Sequence, residues 1–164
     1  RQYVEKICRE KNIKCRCIRC REAGFHIKNN KNIKINLDKL QTTITEYDAS
    51  HGKEFFIEAE DIENDVLFGF CRLRFPSQLL RPEITQNSAL IRELHVFSAA
   101  AQIGRKSDES FQHRGIGKNL LAKAEGIAKQ NGKDNIVVIS GIGAREYFRK
   151  LGYELQGVYM VKSL

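Results

Sequence analysis

The stretch Phe111-Gln-His-Arg-Gly-Ile-Gly-Lys118 organises the rest of the chain, because it places two glycines in a basic turn directly before a helical pattern. Apolar residues then recur at helical spacing until Gly132 ends the pattern. Gly115 and Gly117 lack the Cβ atoms that would keep a ligand away from the backbone. Further donors come from the side chains of His113, Arg114 and Lys118. Because the N–H groups and the dipole of a helix start attract anions, the turn is predicted to bind a pyrophosphate.

Two familiar phosphate-binding loops are excluded by the same residues. A Rossmann fingerprint needs a third glycine and a later acidic residue, a P-loop needs G-x-x-x-x-G-K-[ST], and neither pattern is present. What remains is Q-x-x-G-x-G, from Gln112 to Gly117. It resembles the acetyl-CoA loop of the GNAT acetyltransferases, which bind the CoA pyrophosphate at this turn. A tight turn without a ligand is the alternative, and the glycines alone do not decide between the two.

Length and charge limit the class of protein. The chain has 164 residues, enough for one domain with a hydrophobic core. Its net charge of +8 suits anionic partners such as CoA phosphates, tRNA or a membrane surface, and a well-solvated basic surface is the alternative. No apolar run reaches the roughly 18–20 residues that span a bilayer, so no membrane partner is expected. Because the chain begins at Arg1 instead of Met, we expect a piece of a longer polypeptide.

Three of the five cysteines crowd into Cys15-Arg-Cys17-Ile-Arg-Cys20. In a chain without a secretory signal such crowding indicates metal or redox chemistry before disulfides, and a cytoplasmic protein is expected. Three thiolates could ligate zinc, which usually takes four ligands, and Cys8 or His26 could supply the fourth. A reduced, partly buried cluster without metal is the alternative.

Basic side chains are interleaved with these cysteines. They are Lys14, Arg16, Arg19 and Arg21. Four cations in so short a segment suit contacts with nucleic-acid phosphates. The zinc and phosphate interpretations are compatible, because a metal could fix the loop that presents the arginines.

Hydrophobic patterns predict helices and strands that alternate in the second half of the chain. Predicted helices cover residues 1 to 12, the segment after the glycine turn and residues 144 to 151, and predicted strands cover 40 to 47, 54 to 60, 66 to 75, 89 to 97, 135 to 140 and 153 to 161. Residues 24 to 36 are predicted to be weakly structured, and residues 98 to 110 form a long polar loop. The order indicates an α/β (α+β) fold with a mixed central sheet flanked by helices. A cysteine-rich basic linker at 1–37 precedes the domain at 38–164.

The fourth strand carries a Glu and a His two positions apart. Strict alternation predicts Ile91, Glu93, His95 and Phe97 on one face, and Arg92, Leu94 and Val96 on the other. Burying the Glu beside the His costs free energy unless the two are paired or used in chemistry. A surface pair or a salt bridge is the alternative to catalysis, and spacing alone does not choose between them.

Four motifs, in order, resemble the carboxy-terminal part of the catalytic subunits of Elongator. They are IKCRCIRCRE (13–22), LIRELHVF (90–97), FQHRGIGKNLLAKAE (111–125) and SGIGAREYFRKLGYELQGVYMVK (140–162). That family modifies tRNA wobble uridine as an acetyltransferase or carboxymethyl synthase, and the match is to its archaeal-like form. The resemblance implies the GNAT acyltransferase fold and a preceding radical-SAM domain in the same polypeptide. S-adenosylmethionine and an iron–sulfur cluster would belong to that domain, since the cluster motif C-x-x-x-C…C-x-x-C is not in these residues.

The resemblance also implies roles for individual residues. It assigns acetyl-CoA contacts to Glu93, Leu94, His95, Val96, Phe111, Gln112, His113, Arg114, Gly115, Gly117 and Tyr147, and the family's zinc site to Cys15, Cys17 and Cys20. Many relatives carry a Tyr-Tyr pair where this chain has Tyr147-Phe148, so a second hydroxyl has no role here. Without the resemblance, Tyr147 would be interpreted as a core residue on an amphipathic helix.

The expected function is therefore acetyl-CoA binding and thioester opening, within an enzyme that forms a carboxymethyl group on tRNA uridine. Tyr147 could donate a proton to the leaving thiolate, and Glu93 or His95 could activate a water or an acceptor. Backbone amides at Leu94 to Val96 could polarise the carbonyl. Two other classes stay open, namely a protein (histone) lysine acetyltransferase and a non-catalytic tRNA-binding module.

Overall fold

The structure is a computed structural model that describes residues 2–29, 39–79, 81–97 and 115–164. The first half of the phosphate-binding stretch, Phe111 to Arg114, lies outside these ranges, and so does the predicted polar loop at 98–110. The predicted boundary between residues 37 and 38 also lies outside them and stays a prediction.

The described residues form one seven-stranded sheet. Its strands are β1 (Gln41–Ala49), β2 (Gly52–Asp61), β3 (Val66–Phe75), β4 (Ser88–Val96), β5 (Asn135–Val138), β6 (Glu154–Gln156) and β7 (Tyr159–Ser163). They lie in the order β1-β2-β3-β4-β5-β7-β6. Only β4 and β5 pair in parallel, because a helical crossover joins them, and every other pair is antiparallel. The predicted mixed sheet is confirmed.

The described residues also form helices. They are α1 (Gln2–Glu10), α2 (Ile18–Arg21), α3 (Ala23–Asn29), α4 (Ile116–Gln130) and α5 (Arg145–Arg149), the last preceded by a 3₁₀ turn at Ile142–Ala144. The helices α2 to α5 contact strands of the sheet, whereas α1 has no buried residue. The apolar stripe of α4 lies against β2, β3 and β4. Leu120 and Leu121 are almost fully buried there, each worth about 1.5–3 kcal/mol relative to exposure. None of the helices in the described ranges combines the length and apolar content needed to cross a bilayer.

Arg21 links the cysteine-rich segment to the sheet through buried ion pairs. Its guanidinium donates to Glu58 at 2.7 Å, to Glu60, and to Asp65 at 3.0 Å, and its side chain is only 8% exposed. Arg21 is therefore unavailable to RNA phosphates, and the prediction that it contacts them is wrong.

The adjoining helix α3 corrects the prediction of weak structure from residue 24 to residue 36. Residues 24 to 29 are helical, and Ala23 at the start of the helix is fully buried.

The last predicted strand is a hairpin. Gln156 pairs with Tyr159 across a two-residue turn in which Gly157 has a φ of +58°. Glycine adopts this left-handed conformation readily, so the turn interrupts the run from 153 to 161. The single-strand prediction is wrong because the alternating pattern continues across this turn.

Candidate functional site

The strands β4 and β5 separate halfway along β4. They pair from Ser88 to Ile91, and one more backbone hydrogen bond follows, from the Ile139 N–H to the Ile91 carbonyl at 3.3 Å. Among the described residues, the remainder of β4 up to Val96 pairs with β3 alone. The β5-facing edge of this half-strand therefore offers backbone donors and acceptors to a ligand, because the sheet does not use them.

A β-bulge resets which side chains of β4 face the core. Arg72 pairs with Glu93 while the next residue, Leu73, pairs with Ile91, so Arg92 is the extra residue. The bulge puts Leu94 on the core face together with Ile91. The predicted alternation is therefore wrong for Ile91 and Arg92, whereas the predicted separation of Glu93 and His95 from Leu94 and Val96 is confirmed.

A cleft of about 330 Å³ lies where the strands separate, between β4 and the N-terminus of α4. It is lined by Leu94, Val96, Gly115, Gly117, Lys118, Ala144, Tyr147 and Phe148. The structure thus brings together five of the residues predicted to bind the coenzyme. Glu93 and His95 are not in this lining. Ala144 and Phe148 were not predicted, although Phe148 follows Tyr147 on α5 and Ala144 is the N-cap of that helix.

Gly117 allows α4 to approach Tyr147 closely. A Cβ on Gly117 would lie 3.0 Å from the Tyr147 hydroxyl oxygen and 3.4 Å from Val96 Cγ2. Gly115, at the N-cap of α4, has a φ of +76° and open space where a Cβ would be. The first hydrogen bond of the helix runs from the Asn119 N–H to the Gly115 carbonyl at 2.9 Å. The N–H groups of Ile116 to Lys118 precede it, and the described part of α4 has no carbonyl four residues before them to accept their hydrogen bonds.

Tyr147 is held so that its hydroxyl reaches the cleft. Its ring packs edge-on against Phe148, with centroids 5.3 Å apart, and Phe148 is buried in the core. Tyr147 itself is 41% exposed. Burial raises the pKa of the Tyr147 hydroxyl, so the group keeps its proton at neutral pH and can donate it.

The two other predicted catalytic side chains lie on the opposite face of β4. The Glu93 carboxylate is 3.6 Å from the Arg72 guanidinium. His95 stacks with Phe70 and packs against Phe97, at centroid distances of 6.0 and 4.9 Å. Any side-chain chemistry by Glu93 or His95 would therefore act from the far side of the strand. The Phe97 N–H donates to the Phe68 carbonyl at 2.8 Å, so the register directs the main-chain groups of Glu93 and His95 toward β3 and leaves those of Leu94 and Val96 at the free edge.

A buried carboxylate beneath this opposite face was not predicted. Glu54 is 1% exposed and accepts four hydrogen bonds. The donors are Tyr47 at 2.9 Å, Arg72 at 3.0 Å, Arg74 at 2.9 Å and Arg92 at 2.5 Å. Burial raises the pKa of the Glu54 carboxyl, but these hydrogen bonds outweigh burial and lower the pKa to about 2. The sequence does not single it out, because β2 also carries Glu58 and Glu60.

The three clustered cysteines come together in the structure. The sulfur atoms of Cys15, Cys17 and Cys20 lie within 4.8 Å of one another. A hydrogen bond from the Cys20 backbone, followed by the neighbouring thiols, lowers the pKa of Cys17. The hydrogen bond with Cys17, followed by burial, raises the pKa of Cys20 to about 11. Three cysteine sulfur atoms this close together fit a thiolate-binding metal such as zinc.

Both predicted candidates for a fourth ligand remain. Cys8 lines the same pocket of about 450 Å³ as the three cysteines. His26 has a buried Nδ1 without a hydrogen-bond partner. Beside the cluster, Lys14 and Arg16 pair with Asp65 at 2.8 and 3.2 Å, but both side chains remain about 70% exposed.

The comparisons with known proteins agree with this geometry. Residues 21–153 match the acetyltransferase (GNAT) family. The chain is 46% identical, over 99% of its length, to a tRNA uridine(34) acetyltransferase of Methanocaldococcus jannaschii, of which it covers 30%. It is 41% identical to Elongator complex protein 3 of Dictyostelium discoideum, covering 92% of this chain and 27% of that protein. Among solved structures, the archaeal Methanocaldococcus infernus Elp3 with an N-terminal deletion (1–46) matches 99% of this chain and 38% of that one, with 44% identity and a TM-score of 0.90. The chain therefore spans about a third of the length of these relatives.

Proposed function

The chain belongs to the acetyltransferase (GNAT) family, and from this premise we propose that it binds acetyl-CoA in the cleft between β4 and α4 and opens the thioester. The observation that carries the proposal is the contact between Gly117 and Tyr147, which brings bare helix amides and a protonated hydroxyl to the same cleft. The names of the similar proteins support tRNA uridine as the acceptor.

The chain's residues fit the coenzyme. The N-terminus of α4 would hold the diphosphate, because its amides are free of helical partners and a glycine removes the side chain in front of them. Residues Phe111, Gln112, His113 and Arg114 precede this turn and would complete the phosphate site. The main chain of Leu94 and Val96 would hold the pantetheine arm along the free edge of β4, whereas the main-chain groups of Glu93 and His95 face β3. The bound coenzyme supplies an acetyl group activated as a thioester.

Three groups of the chain share the thioester chemistry in this proposal. Amides of the β4 edge donate to the carbonyl oxygen, where charge develops. The Tyr147 hydroxyl donates its proton to the sulfur as the carbon–sulfur bond breaks. Glu93 or His95 would activate the water or the acceptor from the other face of β4.

The activity of the whole polypeptide is part of the same proposal. A radical-SAM domain, with S-adenosylmethionine and an iron–sulfur cluster, would join the acetyl methyl carbon to the tRNA wobble uridine. Thioester hydrolysis in the present cleft would then leave a carboxymethyl group. The full polypeptide, given labelled acetyl-CoA with either tRNA or histone tails, should label tRNA alone. Labelled histone tails would favour a protein lysine acetyltransferase, and tRNA binding without label would indicate a non-catalytic module.

Replacing Tyr147 by Phe should separate binding from chemistry. We expect acetyl-CoA affinity within a few-fold of the parent, because the ring and its packing on Phe148 stay. CoA release by the full polypeptide with tRNA should fall by about 10²–10⁴, the usual contribution of a general acid. The control is Tyr159→Phe, which also removes one tyrosine hydroxyl, from a residue of β7 outside the lining of the cleft. Unchanged CoA release in Tyr147→Phe would remove this hydroxyl from the mechanism.

We also propose that Cys15, Cys17 and Cys20 bind one zinc ion. Metal analysis of the purified chain should find about one zinc per molecule, and Cys17→Ser should lose most of it, because zinc prefers thiolate sulfur. The control is Cys71→Ala, since Cys71 is a core residue with a pKa that burial raises to about 12. Equal zinc content in the Cys17→Ser variant and the parent would place the metal elsewhere.

A further inference from the structure

The face of the sheet opposite α4, which we term the outer face, carries an aromatic cluster at the end of β4. Phe70 pairs across the strands with the exposed His95 and lies 6.0 Å from Phe97, centroid to centroid. The His95 and Phe97 rings are 4.9 Å apart. The His95 ring is exposed, and the buried Phe70 and the partly buried Phe97 support it. An exposed ring held in this way forms a surface on which a planar base can stack.

A cationic pocket lies on the outer face beside this cluster, where β4 separates from β5. Its volume is about 370 Å³. The polar part of the lining includes His51, Arg74 and Arg92, and the apolar part includes Ile84, Leu90 and Ile139. Among the described residues no Asp or Glu lines it. A ligand with an anionic group and a flat apolar part matches this lining.

The arginines around Glu54 carry more charge than this buried carboxylate neutralises. Arg74 and Arg92, which line the pocket, share the single carboxylate of Glu54 with Arg72, which lies outside the lining. Glu93 adds one negative charge near Arg72. The side chain of Arg92 is 42% exposed. A guanidinium has five N–H donors in a fixed fork, so Arg92 can hold Glu54 with one side and a phosphate with the other.

The pocket and the aromatic cluster are close enough for one strand of nucleic acid. Arg92 and His95 are three residues apart on β4, a separation of roughly 10 Å in an extended strand. A phosphate bound at Arg92 and a base stacked on His95 would belong to the same or to adjacent nucleotides.

We propose that the outer face binds single-stranded RNA, with a phosphate in the arginine pocket and a neighbouring base on His95 and Phe97. The inference rests on the proposed function, because it assumes an RNA substrate. It adds where that RNA lies, which is across β4 from the coenzyme cleft. RNA-binding sheets commonly use exposed aromatic side chains in this way.

The test is binding of fluorescently labelled pentauridylate to the 164-residue chain, measured by anisotropy over a range of salt concentrations. Arg92→Gln should weaken binding about tenfold and lower the salt slope by about 0.7, the value for one lost phosphate contact on a single strand. His95→Ala should weaken binding by roughly 5- to 100-fold with an unchanged slope, because stacking carries no counterions. Arg92→Lys, which keeps the charge but loses the fork, should fall between Arg92→Gln and the parent with the slope retained.

The matched control is Arg149→Gln, the same charge change on α5, where Arg149 pairs with Glu146. Its affinity should stay within about twofold of the parent, since it lies outside the pocket lining. Thermal midpoints of all variants show whether any loss reflects unfolding. Equal losses in Arg149→Gln and Arg92→Gln would overturn the proposal. Tight binding of polyglutamate that is lost in both Arg92→Gln and His95→Ala would also overturn it. So would RNA binding that depends only on Arg16 and Arg19.

Acetyl-CoA is titrated into the same samples to separate the two proposals. Normal acetyl-CoA affinity without RNA binding would overturn the outer-face inference and leave the coenzyme proposal standing. RNA binding with the predicted pattern, but without acetyl-CoA binding, would overturn the coenzyme proposal and support the outer-face site.

Discussion

Gly117→Leu should abolish acetyl-CoA binding at concentrations that saturate the parent chain, with an affinity loss of at least about 100-fold, or about 2.7 kcal/mol. The new side chain would meet the Tyr147 hydroxyl and Val96, since the Cβ alone already lies 3.0 Å from that hydroxyl oxygen. It would fill the cleft at the point where the helix amides must face the diphosphate. The measurement is isothermal titration of acetyl-CoA into each variant.

The fold itself should tolerate this change. Leucine is a better helix former than glycine by roughly 0.5–1 kcal/mol, which favours α4. Gly126→Leu is the matched control, because Gly126 lies in the same helix and a Cβ there meets nothing within 4 Å. The control should bind acetyl-CoA like the parent. Near-normal affinity in Gly117→Leu would show that the coenzyme does not use this cleft.

Glu54→Gln should lower the free energy of unfolding by about 3–5 kcal/mol, the usual cost of removing one partner of a buried ion pair. Three guanidiniums converge on this carboxylate, and the amide that replaces it cannot balance their charge. Urea denaturation at neutral pH measures the change. Glu46→Gln is the control, because Glu46 pairs with Lys53 on the exposed surface and its loss should cost under about 1 kcal/mol. A Glu54→Gln variant as stable as Glu46→Gln would contradict the structure of this network.

The same carboxylate predicts a pH dependence. Its pKa is lowered from 4.5 to about 2 in the folded chain. A lowered folded pKa means that the stabilisation is complete above the unfolded pKa and is lost as the pH falls from about 4.5 toward 2. The parent should therefore lose more stability than Glu54→Gln between pH 5 and about 2, and equal losses would contradict the assigned shift.

Local sequence pattern predicted many elements of the fold well. The apolar stripe of α4 follows directly from 3.6-residue spacing, and the strands β1 to β3 follow from runs of β-branched and aromatic residues bounded by turn signals. The β4 bulge does not follow, because the extra residue at Arg92 is defined by pairing with β3, a partner more than fifteen residues away. The hairpin at Gly157 was missed for a related reason, since period-2 alternation looks the same on both sides of a two-residue turn.

Side-chain environment was harder to predict than side-chain identity. The sequence placed Arg21 among exposed arginines, whereas its three acidic partners lie 37 to 44 residues away and bury it. Glu54 was overlooked because its arginine partners come from β3 and β4. The glycine turn and Tyr147 were identified before any geometry, but their contact across the cleft depends on how α4 and α5 pack.

The central claim is that the end of α4 and the free edge of β4 together hold acetyl-CoA. A crystal structure of the chain with CoA tests it most directly. The diphosphate should lie within hydrogen-bond distance of the N–H groups of Ile116 to Lys118, with the sulfur between β4 and the Tyr147 hydroxyl. A CoA bound on the outer face, or bound elsewhere with those amides left to solvent, would contradict the account.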